Sequence, residues 1–99
     1  DTAKKVTFDA VMTSEDILAV GAAKYAHVVG RSIPDDLSII GYNHSTLSLC
    51  CEPELTTIDN KLGPICSCVV RTLLGVLSGE DMPKKTVFTA ELVKRGSTL

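Results

Sequence analysis

Residues 9–45, DAVMTSEDILAVGAAKYAHVVGRSIPDDLSIIGYNHS, constrain the fold more than any other stretch of the chain. They read as strand, helix, strand. Residues 6–13 (VTFDAVMT) carry the first strand, and the apolar run Ala10-Val11-Met12 suits burial on both faces. Ser14 stands where a helix N-cap is wanted, with Glu15 and Asp16 in the first turn against the positive end of the helix dipole. Ile17, Val20, Gly21, Tyr25 and Val28 recur at helical spacing, and Gly30 offers a left-handed stop. A turn over residues 31–36 delivers the chain to the second strand, residues 37–42. A strand, helix and strand joined this way form a right-handed parallel crossover in nearly every protein. Ligands of open parallel sheets bind outside the carboxyl ends of the strands, where this sequence sets polar residues.

The rest of the chain continues the pattern. Residues 43–54 form a loop with one short helical turn starting at Ser45, and residues 55–58 form a third short strand. Leu62, Cys66, Val69, Val70, Leu73 and Leu77 make an apolar stripe along a helix that ends at Gly79. Pro64 is tolerated in that helix because it falls in the first turn, whose N–H groups have no intrahelical partners. Two strand-like runs, residues 86–89 and 92–94, follow the turn at Met82-Pro83.

Composition narrows the function. Ninety-nine residues make at most one small domain, a size that buries roughly 60–65% of its unfolded surface. A net charge of −2 argues against a DNA-holding face, which needs clustered Lys and Arg. Lys4-Lys5 and Lys84-Lys85 are isolated pairs and read as solvated surface. No apolar run approaches the ~20 residues of a membrane span, so no membrane partner is expected, and no signal peptide is expected among these residues. The four cysteines fall as Cys50-Cys51 and Cys66-x-Cys68, which is not the C-x-x-C spacing of a zinc knuckle. Reduced, half-buried thiols in a reducing cytosol are the expected state; a Cys50–Cys51 or intersubunit disulfide and a metal site are the alternatives. The chain has no G-x-S-x-G elbow, no P-loop, no dinucleotide fingerprint and no His placed beside a thiol. It is not expected to be an enzyme or to carry a cofactor.

Residues 9–45, together with PELTTIDNKLG at 53–63 and ELVKRGST at 91–98, resemble the effector-binding core of LacI/GalR-type bacterial transcriptional repressors over nearly the whole chain. The resemblance implies an α/β fold: part of a periplasmic-binding-protein-like, doubly wound parallel sheet with incomplete lobes. In those repressors a helix-turn-helix precedes a two-lobed core, the chain crosses between the lobes three times, and the effector lies between them. By that analogy Asp59-Asn60-Lys61 matches the second crossing and Ala90-Glu91 falls near the third. Residues 1–58 and 91–99 would belong to the C-terminal lobe, and residues 62–89 to the N-terminal lobe. The DNA-binding domain would lie outside this chain. The helix over residues 62–78 would then lack its natural sheet, so the chain by itself is expected to rearrange, swap elements or oligomerise through that helix.

The resemblance also implies a site. Glu15 stands after the first strand, where relatives typically carry Asn, and Asn43 after the second, where they typically carry Asp. Asn60 matches a polar contact at the crossing, Asp16 matches an Asp that orients the loop, and His44 stands beside Asn43. Carboxylates and amides pair well with sugar hydroxyls, each of which is both donor and acceptor. The plainer readings are first-turn acids for Glu15 and Asp16, a turn former for Asn43, and a solvent-facing histidine for His44; His27, mid-helix, is not a ligand candidate. Homodimerisation is implied at Val20 and Lys24 of the first helix and at Leu49, Cys50 and Cys51 of the loop, with core packing as the alternative. The expected protein is therefore the sensing part of a transcriptional regulator. Its implied partners are a small-molecule effector, a sugar, and operator DNA held by a domain outside this chain. YNHS followed by LTTID resembles regulators that respond to maltose or malto-oligosaccharides. The alternative is part of an extracytoplasmic sugar-binding protein of the same fold.

Overall fold

The computed structural model describes residues 7–99, so Val6 of the expected first strand lies outside the described residues. The elements run β1 (Ala10–Met12), α1 (Asp16–Val29), β2 (Ser38–Ile40), a 3-10 turn (Thr46–Leu49), β3 (Thr57–Asp59), α2 (Leu62–Leu77) and β4 (Glu91–Val93). β1 and β2 pair in parallel in the register Ala10↔Ser38, Val11↔Ile39, Met12↔Ile40, as the crossover motif requires. A parallel bridge Ile40↔Thr56, with Gly41 N–H donating to Thr56 O at 2.9 Å, joins β2 to the start of β3. β3 and β4 are antiparallel, with Asp59 opposite Glu91 at the end of the ladder.

Three expectations about these elements are corrected. Residues 86–89 form no strand, because no neighbouring strand among the described residues offers them a hydrogen-bonding edge. β1 is not buried on both faces: Met12 is 69% exposed, since β1 pairs only with β2 and packs on one side only. Ser14 is not the helix cap. Glu15 occupies that position in extended conformation (φ −151°), and the first helical N–H, that of Asp16, donates instead to Tyr42 O at 2.9 Å.

The helical face of α1 is the fourth correction. The buried positions are Asp16, Ala19, Ala23 and Ala26, while Ile17, Leu18 and Val28 (85% exposed) point outward. Val20 and Tyr25 of the expected stripe are half-buried at its margin. An alanine face lets the helix axis come close to the sheet, where Leu37, Ile39 and Leu55 complete the core. Gly30 ends the helix as expected, at φ 76°, and Arg31 N–H donates to Ala26 O at 2.8 Å in a Schellman closure.

α2 starts and stops close to the expected residues, with Pro64 in its first turn. Its apolar residues stay uncovered: Leu73 is 56% and Leu77 74% exposed, and Gly75 alone is buried, beneath Met82. An open apolar groove of about 680 Å³ runs between α2 and residues 83–88, floored by Val69, Leu73, Val87 and Phe88.

Candidate effector crevice

The ends of β1, β2 and β3 converge on one patch. Glu15 leads into α1, Asn43 lies just beyond β2, and Asn60 follows β3 directly. Asn43 Nδ2 donates to Glu15 Oε2 at 2.6 Å, and Asn60 Nδ2 donates to Asn43 Oδ1 at 2.7 Å. Three residues chosen from separate parts of the sequence thus form one hydrogen-bonded chain. Asn43 is held there by its own N–H to Ile58 O (3.0 Å) and by a left-handed backbone, φ 101°, which Asn tolerates better than most residues. The chain ends on Asn60 Oδ1, an acceptor that is buried and has no hydrogen-bond partner among the described residues.

Asp16 plays a different part from its neighbour Glu15. It is 1% exposed and its carboxylate is already committed. Oδ1 accepts from Thr57 Oγ1 at 2.7 Å, and Oδ2 accepts from both the N–H and the hydroxyl of Ser45 at 2.7 Å. Burial by itself would raise its pKa; the hydrogen bonds from Thr57 and Ser45 outweigh that and hold the carboxyl below the ordinary range. Asp16 therefore ties α1 to β3 and to the loop after β2. A side chain at Gly41 would overlap the Asp16 carboxylate, so that position must stay small.

His44, at φ 51°, has a charged group beside each ring nitrogen. Nδ1 lies 3.6 Å from Asp59 Oδ2, and Nε2 lies 3.2 Å from Arg95 Nη2. The Asp59 carboxyl is held low chiefly by the Lys61 backbone N–H, which donates to its Oδ1 at 2.9 Å. Across the ladder, Lys61 Nζ meets Glu91 Oε1 at 2.9 Å, and this hydrogen bond raises the lysine's pKa.

Sequence reasoning missed Arg95. Its Nη1 donates to Ser48 Oγ at 2.7 Å and to Leu55 O at 3.1 Å, and its Nη2 reaches His44. No local pattern marks it, because its partners lie 40 to 51 residues away in sequence.

The residues expected at a dimer face lie where α1 packs against the 3-10 turn. Lys24, Leu49 and Cys50 are exposed, whereas Val20 and Cys51 are half-buried against the core. Burial pushes the Cys51 thiol up, as does the neighbouring Cys50, and the Lys24 charge pulls it down, so helix and loop feel each other. All four cysteines are free thiols. No helix of the described residues is long and apolar enough to cross a membrane. Among the described residues no group of three or more His, Cys, Asp or Glu could hold a metal ion.

Comparison with known proteins gives a consistent picture. Residues 2–98 match the periplasmic binding protein-like domain family. The chain is 48% identical over 93 residues to an HTH-type transcriptional regulator of Lachnoclostridium phytofermentans, a match covering 94% of this chain and 28% of that protein. It superposes on the lac repressor dimer bound to operator and the anti-inducer ONPF with a TM-score of 0.90 and 28% identity, over 99% of this chain and 34% of that one. The corresponding figures for a complex of the transcriptional regulator CelR with cellobiose are 0.85 and 28%, over 90% and 28%. The chain thus spans about a third or less of the proteins it matches. These relatives are regulators of transcription, in agreement with the expectation that the chain is not an enzyme.

Proposed function

Since the chain belongs to the periplasmic binding protein-like domain family, in the form carried by LacI-type transcriptional regulators, we propose that it is the part of a longer, cytoplasmic, homodimeric regulator that senses a sugar. The observation that carries this is the chain of hydrogen bonds from Glu15 through Asn43 to Asn60, ending on a buried acceptor with no donor. An unpaired buried acceptor costs about 1–3 kcal/mol, so a ligand hydroxyl that meets Asn60 Oδ1 once the side chain turns toward the crevice is favoured. Glu15 adds a carboxylate whose second oxygen accepts as well. A sugar meets both demands, and cellobiose in CelR is a ligand of that chemistry. The YNHS and LTTID segments make maltose and malto-oligosaccharides the first sugars to try.

Glu15, Asn43 and Asn60 are the contact residues in this reading. Asp16, whose carboxylate is occupied, and His44, between Asp59 and Arg95, hold the loop that presents Asn43. Val20, Lys24, Leu49, Cys50 and Cys51 form the dimer face. Residues 59–61 and 90–91 are crossings between lobes, with residues 1–58 and 91–99 in one and 62–89 in the other. The mechanism is conformational. Effector bound between the lobes alters their relative rotation, and the dimer passes that change to operator-binding domains outside this chain.

The test is operator binding by the intact regulator against maltose, maltotriose and cellobiose. Replacing Glu15→Ala and Asn43→Ala together removes the response to sugar and leaves operator affinity in its absence unchanged. Retained response in the double variant refutes the assignment.

A further inference from the structure

One side chain connects the crevice to the dimer face. We propose that Arg95 is a positioning residue that transmits a displacement at His44 to the turn carrying Leu47, Leu49 and Cys50; this rests on the effector reading above. The loop after β2 has the crevice at one end, Asn43, and the exposed apolar residues Leu47 and Leu49 at the other. The obvious route between them is the backbone, but that route is pinned halfway. Ser45 gives both its N–H and its hydroxyl to the buried Asp16, which Thr57 also holds. A shift at residues 43–44 therefore stops at Ser45.

The guanidinium of Arg95 supplies a second route, which reaches the turn directly at Ser48. Nη2 rests on the His44 ring, and Nη1 rests on Ser48 Oγ. Ser48 is fully buried between Leu47 and Leu49, and its hydroxyl donates onward to Ser45 O at 2.7 Å. One rigid plane holds both contacts, so the spacing between His44 Nε2 and Ser48 Oγ is fixed by the geometry of the fork. If His44 moves, Arg95, whose Nη1 also donates to Leu55 O at 3.1 Å, either re-seats on its Ser48 and Leu55 contacts or carries Ser48 with it. Either event alters how Leu47, Leu49 and Cys50 are presented. A lysine, with one point-like ammonium, cannot fix that spacing.

Cys50 supplies a native reporter, since its thiol is exposed at the end of the turn. Because that turn belongs to the proposed dimer face, its reaction rate is read on protein diluted until sedimentation velocity shows monomer. The full chain carries Cys51→Ser, Cys66→Ser and Cys68→Ser, and the rate of Cys50 alkylation by a maleimide is followed by mass spectrometry. In this background His44→Ala changes the rate about threefold or more, a coupling within the range seen for residues in one hydrogen-bond network. In combination with Arg95→Lys, or with Ser48→Ala, the same substitution changes it less than about 1.5-fold. Circular dichroism confirms that each variant is folded, and Ser48→Ala keeps the test valid if Arg95→Lys is not. An equal effect of His44→Ala in all backgrounds, or none in the first, overturns the proposal. Maltose, maltotriose and cellobiose are then added to the His44 protein. A rate that no sugar alters, while the cycle holds, counts against the sugar reading and leaves the role of Arg95 standing.

Discussion

The two helices of this chain are both rich in apolar residues and have opposite fates. α1 buries Ala19, Ala23 and Ala26 against Leu37, Ile39 and Leu55, and turns its larger residues Ile17, Leu18 and Val28 outward. α2 carries an apolar stripe of larger side chains, yet buries only Gly75. Hydrophobic content alone does not predict burial; a surface at the right distance does. α1 has a sheet beneath it, supplied by the strands that flank it in sequence. Next to α2 lies only the irregular segment 83–88, which leaves an open groove. The first region has a core of its own, and the second waits for a surface to cover it.

That contrast can be broken or sharpened by substitution. The largest effect is expected at the polar centre of the first region. Asp16→Ala strips an acceptor from three donors, each costing about 1–3 kcal/mol if left unpaired, and should lower stability by roughly 3–5 kcal/mol in urea unfolding. A loss under about 1 kcal/mol would mean that the clamp on Ser45 is not holding the loop. Next comes Ile39→Ala, a fully buried truncation, with an expected cost of about 2–5 kcal/mol.

Acid should act on the same region more weakly. Because the folded-state pKa of Asp16 is depressed, its contribution is complete above the ordinary aspartate value of 3.8 and is lost as pH falls through the lower folded value. The urea midpoint of the wild-type chain should fall below pH 4 more steeply than that of Asp16→Asn, whose side chain does not titrate. Parallel pH curves would remove Asp16 from the account. The smallest effect on stability belongs to α2. Leu73→Ser should shift the unfolding free energy by no more than about 0.5 kcal/mol, as for an exposed site. The same change should weaken self-association in sedimentation velocity, since the uncovered stripe is the surface through which the free chain is expected to pair. A monodisperse wild-type monomer would contradict that.

Much of the architecture was legible in advance. The β1–α1–β2 crossover, the Gly30 stop, the turn starting at Ser45 and the position of α2 follow from local chemistry: glycine at a left-handed stop, proline confined to a first turn, polar residues after apolar runs. The convergence of Glu15, Asn43 and Asn60 was legible for a related reason, because a parallel sheet brings strand ends together regardless of the intervening sequence. The buried face of α1 was not. Helical spacing fits both the Ile17–Val28 stripe and the alanine stripe, and the choice depends on how closely the helix must approach the sheet.

What the sequence by itself determined is therefore the order and kind of the elements apart from the strand expected at residues 86–89, the family, and the polar residues brought to the strand ends. Each of those depends on interactions over a few residues or on a pattern shared across the whole chain. The tertiary structure alone supplied the partners of the two acids. Glu15 and Asp16 are adjacent acids in sequence, yet one reaches Asn43 in the crevice while the other is sealed beneath Thr57 and Ser45. It alone also placed Arg95 between His44 and Ser48. Hydrogen bonds spanning 40 residues or more leave no periodic trace along the chain, because direction in space, not spacing in sequence, selects their partners.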